Sequence, residues 1–205
     1  MDQVYRNQRY IYDFTRKYYL FGRDRLIREL GLRPGERVVE VGCGTARNLI
    51  AIAQRYPKTR LFGLDASQEM LKTATEAVRR ARLEDRITLA HGYAEALAPA
   101  MFGEQENFDR AVFSYSLSMI PQWQQALRSA AEVLSPAGQI HIVDFGDLTA
   151  LGGFGRKILL WWLAQFHVAP RAELLHTLEA RAAGSLSILP GRYAFLLTVK
   201  GSEFL

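Results

Sequence analysis

Val38-Val39-Glu40-Val41-Gly42-Cys43-Gly44-Thr45-Ala46-Arg47-Asn48 passes from an apolar, β-branched run into a helix-forming one through two glycines. That is the signature of a strand, a tight turn and a helix N-terminus. Gly42 and Gly44 let backbone approach a ligand without a Cβ in the way. The helix that follows points free N–H groups and partial positive charge at the same place. A dinucleotide loop would carry a third glycine where this chain has Arg47, and an arginine there occupies the space of a pyrophosphate. Glu40 fits a different ligand, because a carboxylate beside the loop pairs with a cationic amine and repels phosphate.

Outward from this loop, β-rich runs at 37–41, 60–64, 86–91, 108–114 and 139–145 alternate with helical patterns at 45–56, 67–82, 122–134 and 156–183. Two last runs, 185–189 and 193–200, flank Pro190-Gly191-Arg192 and read as a hairpin. The alternation predicts an α/β fold: a doubly wound, mostly parallel seven-stranded sheet, Rossmann-like, with an antiparallel C-terminal hairpin. Ligands in such sheets sit at the carboxyl ends of the strands. Asp65 closes the second strand, where an acidic side chain can accept both hydroxyls of a ribose. An amine-bearing amino acid joined to a ribose describes S-adenosylmethionine.

Five ordered segments carry a resemblance. Glu40-x-Gly42-x-Gly44 resembles the first motif of the class I methyltransferases, and Gly63-Leu64-Asp65-Ala66-Ser67 resembles their second-strand acidic motif. His91-Gly92-Tyr93-Ala94-Glu95 is similar to the segment around the adenine, and Phe108-Asp109 through Ser114-Tyr115-Ser116 to the fourth-strand motif. Leu134-Ser135-Pro136-x-Gly138 is similar to the turn before strand five. The chain departs from the pattern at Ala46, where the wider fold commonly has glycine. The resemblance implies S-adenosylmethionine as methyl donor. It implies cofactor contacts from Tyr18, Tyr19, Glu40, Gly42, Cys43, Gly44, Asn48, Asp65, Ala66, Met70, Gly92, Tyr93, Ala94, Ser114 and Tyr115.

Two hundred and five residues, 49% hydrophobic and 23% charged, suit a single folded domain with an extension. We place that extension, a helical lid facing a membrane, at 1–33 and the methyltransferase domain at 34–205. Residues 1–33 hold eight Lys/Arg and four acids, most of the formal charge of +5. A basic segment of this kind attracts phosphate-bearing partners. Tyr5, Arg9, Tyr12, Arg16 and Tyr19 recur at helical spacing. Tyr12, Tyr18 and Tyr19 are candidates to close over the methyl donor, with Tyr12 on the catalytic side. The pair Trp161-Trp162 follows Arg156-Lys157, an arrangement suited to an acyl chain or a membrane interface.

Tyr5 through Asp24, with the Glu40–Asn48 block, is similar to bacterial diacylglyceryl-homoserine N-methyltransferases of betaine-lipid synthesis. This resemblance implies a lipid-headgroup amine as acceptor. Phosphatidylethanolamine remains open as the headgroup, and so does a soluble small molecule or a quinone-like ring. A nucleic-acid substrate is disfavoured, because Ser114-Tyr115-Ser116-Leu117 lacks the pattern associated with base amino groups. The expected location is the cytoplasm, at the inner face of an anionic membrane; the longest apolar run, 158–164, is far short of the roughly 20 residues of a span. Asp144, ending the fifth strand, is the candidate proton acceptor. One cysteine and four scattered histidines give no metal-ligand cluster, so no metal is expected.

Overall fold

The computed structural model describes residues 20–150, 152, 153, 157, 159–161, 171–181 and 184–205. The strands are β1 (Arg37–Val41), β2 (Arg60–Asp65), β3 (Ile87–His91), β4 (Phe108–Ser114), β5 (Leu134–Phe145), β6 (Ser185–Ile188) and β7 (Ala194–Lys200). The helices are α1 (Arg23–Glu29), α2 (Arg47–Arg55), α3 (Gln68–Arg80), α4 (Trp123–Glu132) and α5 (Ala172–Arg181). Among the described residues the strands form one mixed sheet in the order β3-β2-β1-β4-β5-β7-β6. The first five are parallel, and β7 runs antiparallel between β5 and β6. This is the seven-stranded methyltransferase architecture expected from the strand–helix alternation. The strand order reverses at β1, where the chain crosses over to β4, and that is the place for a ligand crevice.

Side chains alternate between the faces of each strand, and this decides what reaches the crevice. Val39, Val41, Phe62, Leu64, Ala111, Phe113 and Ile142 join the core under α4 and α5. Val38, Leu61, Val112, Val143 and Phe145 join the second core, with Leu26, Ile27 and Leu30 of α1 and Leu49, Ile52 and Ala53 of α2. Glu40 therefore shares a face with Val38, beneath α2. By the same parity Asp144 shares a face with Ile142, on the other side of the sheet.

Two elements differ from the sequence reading. β5 begins at Leu134 rather than Gln139, with a register irregularity between the pairs Phe108–Leu134 and Arg110–Gln139. The single helix expected over 156–183 is interrupted: Arg171 is outside helical structure and α5 begins at Ala172. Pro170 accounts for the break, since proline removes a helical N–H and its ring clashes with the preceding turn. The expected lid helix over 2–21, with Tyr12, Tyr18 and Tyr19, lies outside the described residues except for its last two positions, and so do Arg156 and Trp162.

Candidate active site

At the carboxyl ends of β1 and β4 a cavity of about 210 Å³ is lined by Leu20, Arg23, Glu40, Gly42–Thr45, Arg47, Asn48 and Ser114. Its floor is the glycine loop. Gly42 takes φ +78, and the loop hangs from the end of β2 through hydrogen bonds from Gly42 and Cys43 N–H to the Leu64 carbonyl. A Cβ on Gly42 would lie 2.6 Å from Ser116 Cβ, so this glycine is required by its neighbour as well as by its dihedral angle.

Glu40 is buried, and its Oε1 accepts a 2.7 Å hydrogen bond from Asn48 Nδ2. Asn48 Oδ1 accepts from Arg47 Nη1 at 3.2 Å, and Arg47 Nη2 is 3.1 Å from Asp24 Oδ1. The result is a relay of alternating charge and amide running from α1, over the N-terminus of α2, down to the floor of the cavity. It braces one buried carboxylate in the cavity wall. Ser114 is also buried there, and its hydroxyl has no hydrogen-bond partner among the described residues. Buried hydroxyls are normally satisfied, so an unpaired one lining a cavity points to a ligand atom.

Asp65 stands at the rim of this loop. Its Oδ2 accepts from Gly44 N–H at 2.8 Å and its Oδ1 from Ser67 N–H at 2.9 Å. Each carboxylate oxygen keeps accepting capacity beyond one bond, as recognition of a hydroxyl pair requires. Ser67 caps α3 by accepting from Met70 N–H, which carries Met70 into the first turn. Ala66 is fixed nearby by its carbonyl, 3.1 Å from His91 Nε2. Beyond β3, Gly92 packs against Leu64 and Met101, Tyr93 is 66% exposed and Ala94 is buried in a single 3-10 turn. The structure thus brings Glu40, Gly42, Cys43, Gly44, Asn48 and Ser114 to the cavity. It sets Asp65, joined to the loop through Gly44, beside them, with Ala66 and Met70 next along the chain and Gly92–Ala94 after the neighbouring strand.

Cys43 keeps the part of a small loop residue, and two other expected roles are modified. Burial, then the nearby Asp65 and Glu40 carboxylates, push the Cys43 thiol well above its usual range, so it is a small packing residue and no nucleophile. Tyr115 does not line the cavity: its ring turns back into the core, 4.7 Å from Phe145. Asp144 is not brought to the cavity either. It is fully buried on the opposite face of the sheet, where Oδ2 accepts from Ser118 N–H at 3.0 Å and Oδ1 from Phe145 N–H at 2.8 Å. Burial raises its pKa to about 6, against the opposing pull of those hydrogen bonds. It is a clamp on the segment after β4. Sequence reasoning missed Leu20 and Arg23 as cavity-lining residues. Spacing marked Arg23 only as the end of the tyrosine–arginine stripe and Leu20 not at all, because their placement depends on Gly22, at φ +88, turning the chain into α1.

The buried carboxylate, the hydroxyl beside it and the acidic rim suit a ligand with an ammonium at one end and a ribose at the other. A family model described as a methyltransferase domain matches residues 38–138. Over 203 residues, 94% of this chain and 81% of its relative, the sequence is 32% identical to the ubiquinone/menaquinone biosynthesis C-methyltransferase UbiE of Syntrophotalea carbinolica. The chain belongs to the class I S-adenosylmethionine-dependent methyltransferases. A demethylmenaquinone methyltransferase of Bacillus cytotoxicus is 30% identical over 131 residues, 63% of this methyltransferase and 53% of that one, so the chain spans about half the length of this second relative. Among solved structures, an S-adenosylmethionine-dependent methyltransferase from Aquifex aeolicus shares the fold, with a TM-score of 0.65, 18% identity and coverage of 90% and 92%.

The methyl donor is therefore S-adenosylmethionine, and no group of metal-ligating side chains occurs among the described residues. The betaine-lipid specificity expected from the N-terminal sequence is not carried by these comparisons, since both relatives are named for quinone substrates. Nor do they support N-methylation in particular, one relative being a C-methyltransferase. Among the described residues no helix is long and apolar enough to cross a membrane.

Proposed function

We propose that this methyltransferase transfers a methyl group to a ring carbon of a quinone-class aromatic acceptor. The observation that carries this reading is the 32% identity with the C-methyltransferase UbiE over almost the whole chain. Bound S-adenosylmethionine supplies an electrophilic methyl carbon on a sulfonium. The chain's own part is positioning and exclusion of water, which supply most of the rate in a displacement of this kind. Glu40, braced by Asn48, holds the ammonium end; Asp65 accepts the ribose hydroxyls; Ser114 offers its hydroxyl inside the cavity; Leu20 and Arg23 wall it off from solvent. A second reading, methylation of the amine of diacylglyceryl-homoserine, is favoured by the resemblance of Tyr5–Asp24 to that family. Both acceptors are amphiphiles, and the basic residues of 1–33 would draw the protein to an anionic membrane surface.

Labelled S-adenosylmethionine offered with a short-chain demethylmenaquinol, with diacylglyceryl-homoserine micelles and with phosphatidylethanolamine vesicles separates the readings. The expected result is one methyl added to the quinol ring, read by mass. Mass gained by a lipid amine and not by the quinol would overturn the first reading in favour of the second. Co-sedimentation with anionic vesicles tests the membrane placement, which fails if the protein stays in the supernatant.

A further inference from the structure

Tyr115 sits at φ +56, a conformation that is strained for a non-glycine residue. Its N–H is held by the Val143 carbonyl at 2.7 Å, and its buried ring packs edge-on against Phe145. The unusual backbone geometry turns the side chain away from the cavity, toward the chain segment that enters α1. There its hydroxyl donates a 2.5 Å hydrogen bond to the carbonyl of Phe21.

Phe21 lies between the two cavity-lining residues of that segment, Leu20 and Arg23. The Phe21 ring is 57% exposed and meets only the edge of Tyr193 at 5.4 Å. Gly22, at φ +88, approaches Val143, Leu189 and Leu196 closely enough that a Cβ would lie within 3.1–3.2 Å of each, but it contributes no side chain of its own. Arg23 Nε donates to the Leu20 carbonyl at 3.3 Å, a bond that stiffens the turn. The hydroxyl of Tyr115 is thus a polar attachment of this turn to the body of the protein.

We infer that Tyr115 is a positioning residue for cofactor binding: it latches residues 20–23 to the end of β4, so that Leu20 and Arg23 form the outer wall of the S-adenosylmethionine cavity. The latch ties the wall to the same strand end that presents Ser114 from below. The inference rests on the cavity being the cofactor site and adds a residue that touches no part of the cofactor.

The structure supplies a matched control. Tyr56 also donates its hydroxyl to backbone carbonyls of α1, those of Ile27 and Arg28 at 3.0 and 3.2 Å, but at the far end of the helix from the cavity. Tyr115→Phe and Tyr56→Phe each remove one hydroxyl from an α1 attachment and keep the ring. Tyr115→Phe in the full chain is expected to weaken S-adenosylmethionine and S-adenosylhomocysteine binding by about fivefold to tenfold. The KM for the donor rises in step while kcat at saturation changes less than about twofold, and Tyr56→Phe leaves the donor affinity unchanged. Trypsin provides a readout without ligand: cleavage after the buried Arg23 is faster in Tyr115→Phe than in the wild type and unaltered in Tyr56→Phe.

Unchanged affinity in Tyr115→Phe, or equal loss in both variants, overturns the latch. A wild type that fails to bind S-adenosylmethionine while Tyr115→Phe still exposes Arg23 to trypsin overturns the cofactor-wall role and leaves only a structural tether. Absence of both effects overturns both.

Discussion

Gly63 shows how a residue without a side chain can set the shape of the site. It lies mid-strand in β2, directly under the glycine loop and α2. A Cβ there would come within 2.6 Å of Leu49 Cδ1, 2.8 Å of Leu89 Cδ2 and 2.9 Å of Cys43 Sγ. Three contacts from three elements leave no direction in which all can yield, so the added methyl forces the loop off its seat. Gly63→Ala is expected to destabilise the protein by about 1–3 kcal/mol, the usual range for overpacking a filled core. Because Cys43 is one of the displaced atoms, donor affinity falls as well. Thermal unfolding and a donor-binding isotherm on the same sample check both parts. Ala46 presents the converse case. It holds φ +62 as the N-cap of α2, with its methyl fully buried. The conformational cost of a non-glycine residue there and the gain from burying one methyl are both about 1 kcal/mol, which explains why alanine is tolerated where glycine is commoner.

At the scale of elements, the base of α2 is held by one long side chain. Arg86, just before β3, donates from Nη1 to the Ala53 carbonyl at 2.9 Å and from Nη2 to the Tyr56 and Thr59 carbonyls at 2.7 and 3.2 Å. These are the carbonyls left over where α2 ends and the chain turns into β2, and a planar guanidinium can satisfy several of them at once. Arg86→Ala orphans part-buried acceptors and is expected to cost about 1–3 kcal/mol. Arg86→Lys recovers little of this, because an ammonium cannot span the three carbonyls; urea denaturation of the two variants measures the difference. Such side-chain caps join residues distant in sequence, and periodicity carries no trace of them. What periodicity did carry was the sheet: the first four strands emerged close to their expected bounds because a parallel strand buried on both faces reads as an apolar run. The glycine loop, Glu40 and Asp65 were legible for the same local reason. Asp144 was misplaced because its position along β5 was considered and its parity was not; counting alternate residues from Ile142 puts it on the face away from Glu40. Leu20 and Arg23 were invisible as cavity-lining residues, since a single left-handed glycine directs them.

Across the whole molecule, two buried ionisable groups on β5 act against each other. Burial lowers the His141 pKa to about 4, assisted by Arg110, and raises that of Asp144 to about 6. The unfolded chain titrates both near their ordinary values, 6.5 and 3.8. As pH rises from 4 to 6.5 the unfolded state still holds the histidine proton that the folded state gives up near pH 4, so the His141 contribution to stability grows. Over much the same window the folded state keeps the Asp144 proton that the unfolded state has already lost, so the Asp144 contribution shrinks. Each amounts to roughly 3 kcal/mol, with opposite sign. The pair therefore contributes a nearly level stability profile between pH 4 and 6.5, and either single variant uncovers the other's slope. Asp144→Asn should become more stable as pH rises through this window, and His141→Gln should become less stable. The slope decides the matter rather than the offset, because each substitution also disturbs a buried hydrogen bond, His141 Nδ1 with Thr198 or Asp144 with the Ser118 and Phe145 amides. Below pH 4 the profile turns downward in all three proteins. There the unfolded chain takes up a proton that the Asp147 carboxylate, held well below its usual range by Arg192, still refuses in the folded state. Melting temperatures of the three proteins at half-unit steps from pH 3 to 7 test the cancellation, and parallel curves for wild type and both variants would show that neither buried group is shifted.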